Sequence, residues 1–222
     1  MNFTRQDGKR RVVITGGGML SALGDSWEEA FASLRSLKNC VVYMKDWDRF
    51  TKMNTRLACP YTRELPKYPR KKVRGMGRVA LLSLTATERA LEQAGLKNQD
   101  GEVTEELHDG RTGIAYGSCM GSMDSMLDLY GMVKDNDTSK IDSQTYIKCM
   151  PHTCAANLSV FYSLRGRIIT TNTACTSASQ AIGYAYEAIQ NGVQDIMIAG
   201  GAEELVPPDA AAFDAMGAAA YD

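Results

Sequence analysis

The chain has 222 residues, 44% of them hydrophobic and 23% charged, with a formal net charge of −1. That length supports a substantial core, and the even charge balance excludes a global pull towards nucleic acid or an anionic membrane. Residues 1–9 lack the apolar stretch of a secretory signal and no run reaches the ~20 apolar residues of a membrane span, so a cytoplasmic protein is expected.

Arg10 to Thr15 reads as the first strand and runs into Gly16-Gly-Gly18. Such a turn also opens dinucleotide-binding folds, but the full G-x-G-x-x-G pattern and its later acidic residue are missing, so a tight strand-to-helix loop is the better reading. Asp25-Ser26 caps a helix from Trp27 to about Leu37, with Ala30, Phe31, Leu34 and Leu37 on one face. From about 40 to 69 the periodicity fades into an irregular excursion with short strands, read as a surface elaboration. Lys67 to Arg78 then places six cations in twelve residues. A solvated charge run is the ordinary explanation, although cations at a helix start oppose the macrodipole and invite a partner.

The following helix carries Ala80, Leu84, Thr87, Leu91 and Ala94 on its packing side and closes at Gly95. Arg111 to Gly117 reads as a second parallel strand, and Ser118 to Ser122 turns into a helix ending near Lys134. Thr153 is a candidate cap for a helix through about Leu164. Arg167 to Thr171, short and β-branched, reads as a buried strand, and Asp195 to Gly201 is the last, with Ile196 to Ala199 as its buried run. Pro207-Pro-Asp opens a final helix. Strands alternating with helices imply an α/β fold, a parallel or mixed sheet with helices on both faces.

Between the last two strands lies Thr171-Asn-Thr-Ala-Cys175-Thr-Ser, followed by Ala178, Ala181, Ile182, Ala185 and Ile189 at helical spacing and a stop at Gly192. Cys175 thus falls where a strand becomes a helix. Unpaired amides and the positive end of the macrodipole favour a thiolate there, and the same amides can hold an oxyanion after attack on a carbonyl. A small buried apolar residue is the alternative. The other cysteines, Cys40, Cys59, Cys119, Cys149 and Cys154, show no CxxC spacing. Reduced thiols and no metal site are expected. His152 and His108 are read as structural or exposed rather than as the base for Cys175. Glu203 and Glu204 are adjacent and point in different directions in regular structure, so a shared acid/base site is not expected.

Thr173-Ala-Cys175-Thr-Ser, then Gln194 to Leu205 with its Gly-Gly-Ala-Glu-Glu, then Phe213-Asp-Ala-Met-Gly217, together with Arg11 to Gly24, closely resemble the nucleophile-bearing half of β-ketoacyl-acyl carrier protein synthases, nearest the fatty-acid elongating type. Asp46-Trp-Asp and Tyr68 to Arg78 are also similar to synthases of aryl-polyene pathways. The resemblance implies a thiolase-like fold, a layered α/β/α arrangement with a mixed sheet, of which residues 1–222 are the N-terminal half. It implies Cys175 as the acyl-accepting nucleophile, Met120 as lining of the acyl tunnel, and Lys71 and Arg74 as docking residues for acyl carrier protein. It implies a homodimer through the strand Ile168 to Asn172, and no cofactor beyond the phosphopantetheine delivered on the carrier. The family's catalytic histidines belong to a second half with no counterpart here, so the isolated chain is expected to be inactive. A thiolase acting on coenzyme A thioesters, or a noncatalytic chain-length partner subunit, remain alternatives.

Overall fold

In the computed structural model residues 7–221 are described. In chain order the elements are α1 (Trp27–Arg35), β1 (Val42–Tyr43), β2 (Leu57–Ala58), α2 (Arg70–Val73), α3 (Arg78–Gln93), β3 (Thr112–Gly117), α4 (Met123–Asp135), α5 (Thr145–Cys149), α6 (Thr153–Phe161), β4 (Ile168–Thr171), α7 (Ser177–Gln190), β5 (Ile196–Gly201) and α8 (Pro207–Ala215). They form two units. One comprises the residues up to Gly17 and Leu65–Glu204; the other comprises Gly18–Glu64 and the residues from Leu205.

The larger unit is built on a sheet of order β4-β3-β5, parallel throughout. In the other unit β1 and β2 pair antiparallel. The central strand β3 is buried along its whole length. Because its side chains alternate between faces, Ile114 and Tyr116 join α3 and α6 residues such as Leu84, Leu91 and Leu158, while Ala115 meets Ala181 and Ala185 of α7. This gives the expected α/β/α layers. The two outer strands are less buried than their composition suggests: Ile168 is 48% exposed and only Ile198 of the Ile196 to Ala199 run is buried. Among the described residues each has a neighbouring strand on one side only.

The predicted first strand does not form a ladder. Arg10 N–H donates to Gln190 O and its guanidinium pairs with Asp195 at 2.5 Å, but Val13 and Ile14 are 67% and 92% exposed. β-Propensity reflects packing against neighbours on a pleated face, and this run gains none. The glycine loop after it lies against the end of α3. A Cβ on Gly16 would stand 2.1 Å from Ala90 O, and Gly17 N–H donates to Gln93 Oε1 at 2.7 Å. The glycines are explained by this close approach, as a tight loop rather than a phosphate cradle.

Helix α3 buries Ala80, Leu84, Thr87 and Leu91 of the predicted side and ends at Gln93 with Ala94 as its C-cap, after which the chain passes through Gly95 at φ +71°. Helix α6 stops earlier than expected, at Phe161, and its cap differs: Thr153 Oγ1 donates to the carbonyls of Ile147 and Met150, both at 2.6 Å. The hydroxyl is thus spent as a donor on the preceding turn. No helix among the described residues is long and apolar enough to cross a membrane.

In the smaller unit Ser26 caps α1 as predicted, accepting from Glu29 N at 3.2 Å, while Glu29 reaches back to Asp25 N at 3.0 Å. The helix ends at Arg35, and of its apolar stripe only Ala30 is buried; Phe31 and Leu34 are more than half exposed. The excursion from 40 to 69 is more than decoration. Its 3₁₀ turn Lys45–Arg49 buries Trp47, and Met53 and Thr55 are also buried. Asp214 of α8 ties this segment down by accepting from Asn54 N at 2.8 Å and Thr55 N at 3.0 Å. A mid-segment tryptophan in an aperiodic stretch was the overlooked sign of this packing.

Two substitutions test these arrangements. A Cβ on Gly117 would lie 2.3 Å from Thr171 Oγ1 and 2.9 Å from Ser177 Cβ. Gly117→Ala is expected to lower stability by about 1–3 kcal/mol, measured by denaturant unfolding. Asp214→Ala leaves the buried Thr55 amide and the part-buried Asn54 amide without their acceptor, and stability is expected to fall by about 1–3 kcal/mol. Limited proteolysis should then cut within residues 50–56 faster than in the unsubstituted chain.

Candidate functional site

Parallel strands end on the same side of a sheet, and here the three ends lie in one register row: Thr171 of β4, Gly117 of β3 and Gly201 of β5. Loops leaving parallel strands at their carboxyl ends are where α/β folds form sites. Three such loops therefore meet: Asn172 to Thr176 with Cys175, Ser118 to Ser122 with Met120, and Ala202 to Glu204. The small residues at the row allow close seating of α7, since a Cβ on Gly201 would stand 2.8 Å from Ala178 Cβ.

Cys175 is exposed and lies outside both β4 and α7, two residues before the helix begins. Its elbow is held by a dense local network. Thr171 Oγ1 donates to Ser177 O at 2.8 Å, Thr173 N–H donates to Ser177 Oγ at 2.9 Å, and that hydroxyl donates to Ala174 O at 2.7 Å. Ala174 adopts a left-handed φ of +52°, which turns the chain sharply just before the sulfur. No side chain caps α7; the hydroxyl of Thr176 donates back to Thr173 O instead. The dipole of a 14-residue helix is thus directed at the Cys175 turn without a side-chain acceptor at its mouth.

The second loop is fixed by the third. Glu203 accepts from Ser118 Oγ and Cys119 N, both at 2.5 Å through Oε1, and from Met120 N at 3.2 Å through Oε2. Glu204 accepts from Met123 N at 2.7 Å, placing a carboxylate at the first turn of α4. Ser122, which precedes that helix, gives its hydroxyl to another: it accepts from Val79 N of α3 at 3.0 Å. The two glutamates do not form a proton-sharing pair, yet both serve one loop. The rule that neighbours diverge holds within strands; these residues follow the end of β5, where it lapses. Composition does not mark these contacts, because most of their donors are backbone amides.

Of the remaining candidates, Met120 sits in the second loop and the others are on separate elements. Met120 is half-buried, and Lys71 and Arg74 are exposed on and just after α2. Their neighbour Lys72 instead lies over the Phe161 ring at 5.4 Å. His152 is exposed at the start of α6, and His108 Nδ1 is 3.4 Å from Ser163 O; neither has a hydrogen bond to Cys175. All six cysteines are free thiols. Cys154 is fully enclosed beside Ser83 Oγ at 2.8 Å, and burial pushes its thiol up to about 12. Burial also raises Cys149. Among the described residues no group of three or more His, Cys, Asp or Glu is placed to hold a metal ion.

Comparison with known proteins agrees with this geometry. The family model "Beta-ketoacyl synthase, N-terminal domain" matches residues 9–222. The chain is 34% identical over 213 residues to 3-oxoacyl-[acyl-carrier-protein] synthase 1 of Haemophilus influenzae, covering 94% of this chain and 50% of that protein. It is 33% identical over 202 residues to 3-oxoacyl-[acyl-carrier-protein] synthase 2 of Vibrio harveyi, covering 90% and 47%. A crystal structure of a β-ketoacyl synthase from Burkholderia phymatum superposes with a TM-score of 0.89 at 46% identity, covering 95% of this chain and 51% of that one. The chain spans about half the length of these relatives. With its layered fold and its cysteine elbow in the matching region, the chain belongs to the β-ketoacyl synthase family, within which it corresponds to the N-terminal domain.

Proposed function

We propose that this chain is the nucleophile-bearing half of a β-ketoacyl-acyl carrier protein synthase, and that Cys175 is its acyl-accepting residue. The observation that carries the reading is the exposed Cys175 on a strand-to-helix elbow, at the uncapped mouth of α7. In the reaction the Cys175 thiolate attacks the thioester carbonyl of an acyl carrier protein. The new C–S bond forms on Cys175 as the old one breaks, and the carrier's phosphopantetheine leaves as a thiolate. Malonyl-carrier protein then loses CO₂, its α-carbon attacks the acyl-Cys175 carbonyl, and the cysteine thiolate departs. The amides at the start of α7 are suited to the negative charge on the tetrahedral oxygen. Phosphopantetheine enters as part of the carrier substrate.

Promoting decarboxylation needs polar donors near the malonyl group, and neither His152 nor His108 is bonded to the Cys175 elbow. The length difference from the relatives supports a second half that supplies them. We therefore place residues 1–222 as one half of a synthase domain acting in the cytoplasm. Among the described residues strand β4 has β3 on one side only, and Ile168 is 48% exposed, which supports pairing of Ile168 to Asn172 across a two-fold axis with a second copy. The exposure of Lys71 and Arg74 supports a docking patch for the acidic carrier.

Alkylation of the 222-residue protein with iodoacetamide, followed by peptide mapping, tests the nucleophile. Cys175 is expected to react first, ahead of the exposed Cys59. Cys154 stays unmodified while the fold is intact, because at pH 7 a thiol raised to about 12 is only about 10⁻⁵ thiolate. Modification of Cys59 in preference to Cys175 would remove the reading. Expressed alone, the chain should show no condensation, checked with acyl- and malonyl-carrier protein. In the assembled synthase, Lys71→Glu with Arg74→Glu should weaken carrier binding about tenfold or more, with a shallower salt dependence in a titration.

A further inference from the structure

The donors of the loop after β3 converge on one side chain from another strand. Ser118 Oγ, Cys119 N and Met120 N all give their hydrogens to the carboxylate of Glu203. The loop is closed on itself as well, since Gly121 N–H donates to Ser118 Oγ at 3.0 Å. Three donors from consecutive residues onto two carboxylate oxygens define the orientation of a short loop far more tightly than one bond does, because moving the loop breaks all three together. Two of the three bonds, from Ser118 and Cys119, are short at 2.5 Å. The residue at the end of the clamp is Met120.

From this convergence we infer that Glu203 is a positioning residue for acyl-chain selection: it holds the Ser118–Met120 loop so that the Met120 side chain is presented at a fixed depth. Glu203 acts through the loop and not on the reacting atoms. The inference rests on the reading of Met120 as part of the acyl site. Methionine is unbranched and readily repacks, so a backbone free to shift would blur any length limit that its side chain sets. A carboxylate accepts at both oxygens, whereas an amide accepts at one, so glutamine cannot satisfy all three donors.

The test uses Glu203→Gln, Glu203→Asp and Met120→Ala in the assembled synthase, each checked for folding by thermal melting. Hydrogen exchange on the Gln variant is expected to rise about tenfold or more at the amides of Cys119 and Met120, with exchange in β3 unchanged. Acyl transfer to Cys175 is then measured by intact mass across acyl-carrier proteins of graded chain length. The Gln variant should flatten the length preference about threefold or more, while alkylation of Cys175 by iodoacetamide stays within about twofold. Glu203→Asp, which keeps both accepting oxygens, should recover part of the preference. If the Gln variant does not fold, Ser118→Ala removes one donor from the same clamp and should give a smaller change in the same direction. Unchanged length preference in the Gln variant, with Met120→Ala altering it, would overturn the inference and leave the Met120 reading standing. No change in either variant would instead remove Met120 from the acyl site.

Discussion

Backbone closeness at the carboxyl ends of three parallel strands governs the larger unit. At Gly117 there is no room for even a methyl group between Thr171 and the start of α7, and at Gly201 the space is taken by Ala178. Side chains there would push α7 off the sheet and carry the Cys175 elbow with it. The small residues are thus a condition for bringing a helix mouth, Cys175 and two further loops to one side of the sheet. That α7 buries Ala181, Ala185 and Ala188 follows the same logic, since alanines let a helix lie close to strands.

Much of this was legible beforehand because local and tertiary preferences agree. The strand Thr112–Gly117 is buried on both faces, so its apolar run, β-branching and flanking turns all point one way. The elbow at Cys175 was readable for a related reason: a β-branched run changes period abruptly to a 3.6-residue pattern, and only a few residues are available for the change. Gly95 and Gly192 close their helices at φ +71° and +73°, where a glycine is the natural residue.

What escaped was whatever depends on a distant partner. Val13 and Ile14 have the composition of a strand, but strand formation is decided by neighbours that a local pattern does not name. The stripe on α1 is correctly periodic, yet Phe31 and Leu34 stay exposed, since periodicity shows which residues share a face and not what covers it. Trp47 lies in a stretch with no period at all and is nonetheless 3% exposed. The roles of Glu203 and Asp214 were invisible for a further reason: each carboxylate serves backbone amides, and backbone amides leave no trace in composition.

Ala174 has a consequence for how firmly the sulfur is aimed. At φ +52° an alanine is less comfortable than glycine by about 1 kcal/mol or more, so the fold tolerates a locally unfavourable torsion immediately before Cys175. A glycine would relieve it, but would also open backbone conformations closed to alanine and let the thiol sweep a wider arc. The methyl group serves as a ratchet on that torsion: once the surrounding hydroxyls have forced the chain past it, few other angles remain, and the Cys175 side chain keeps a constant bearing.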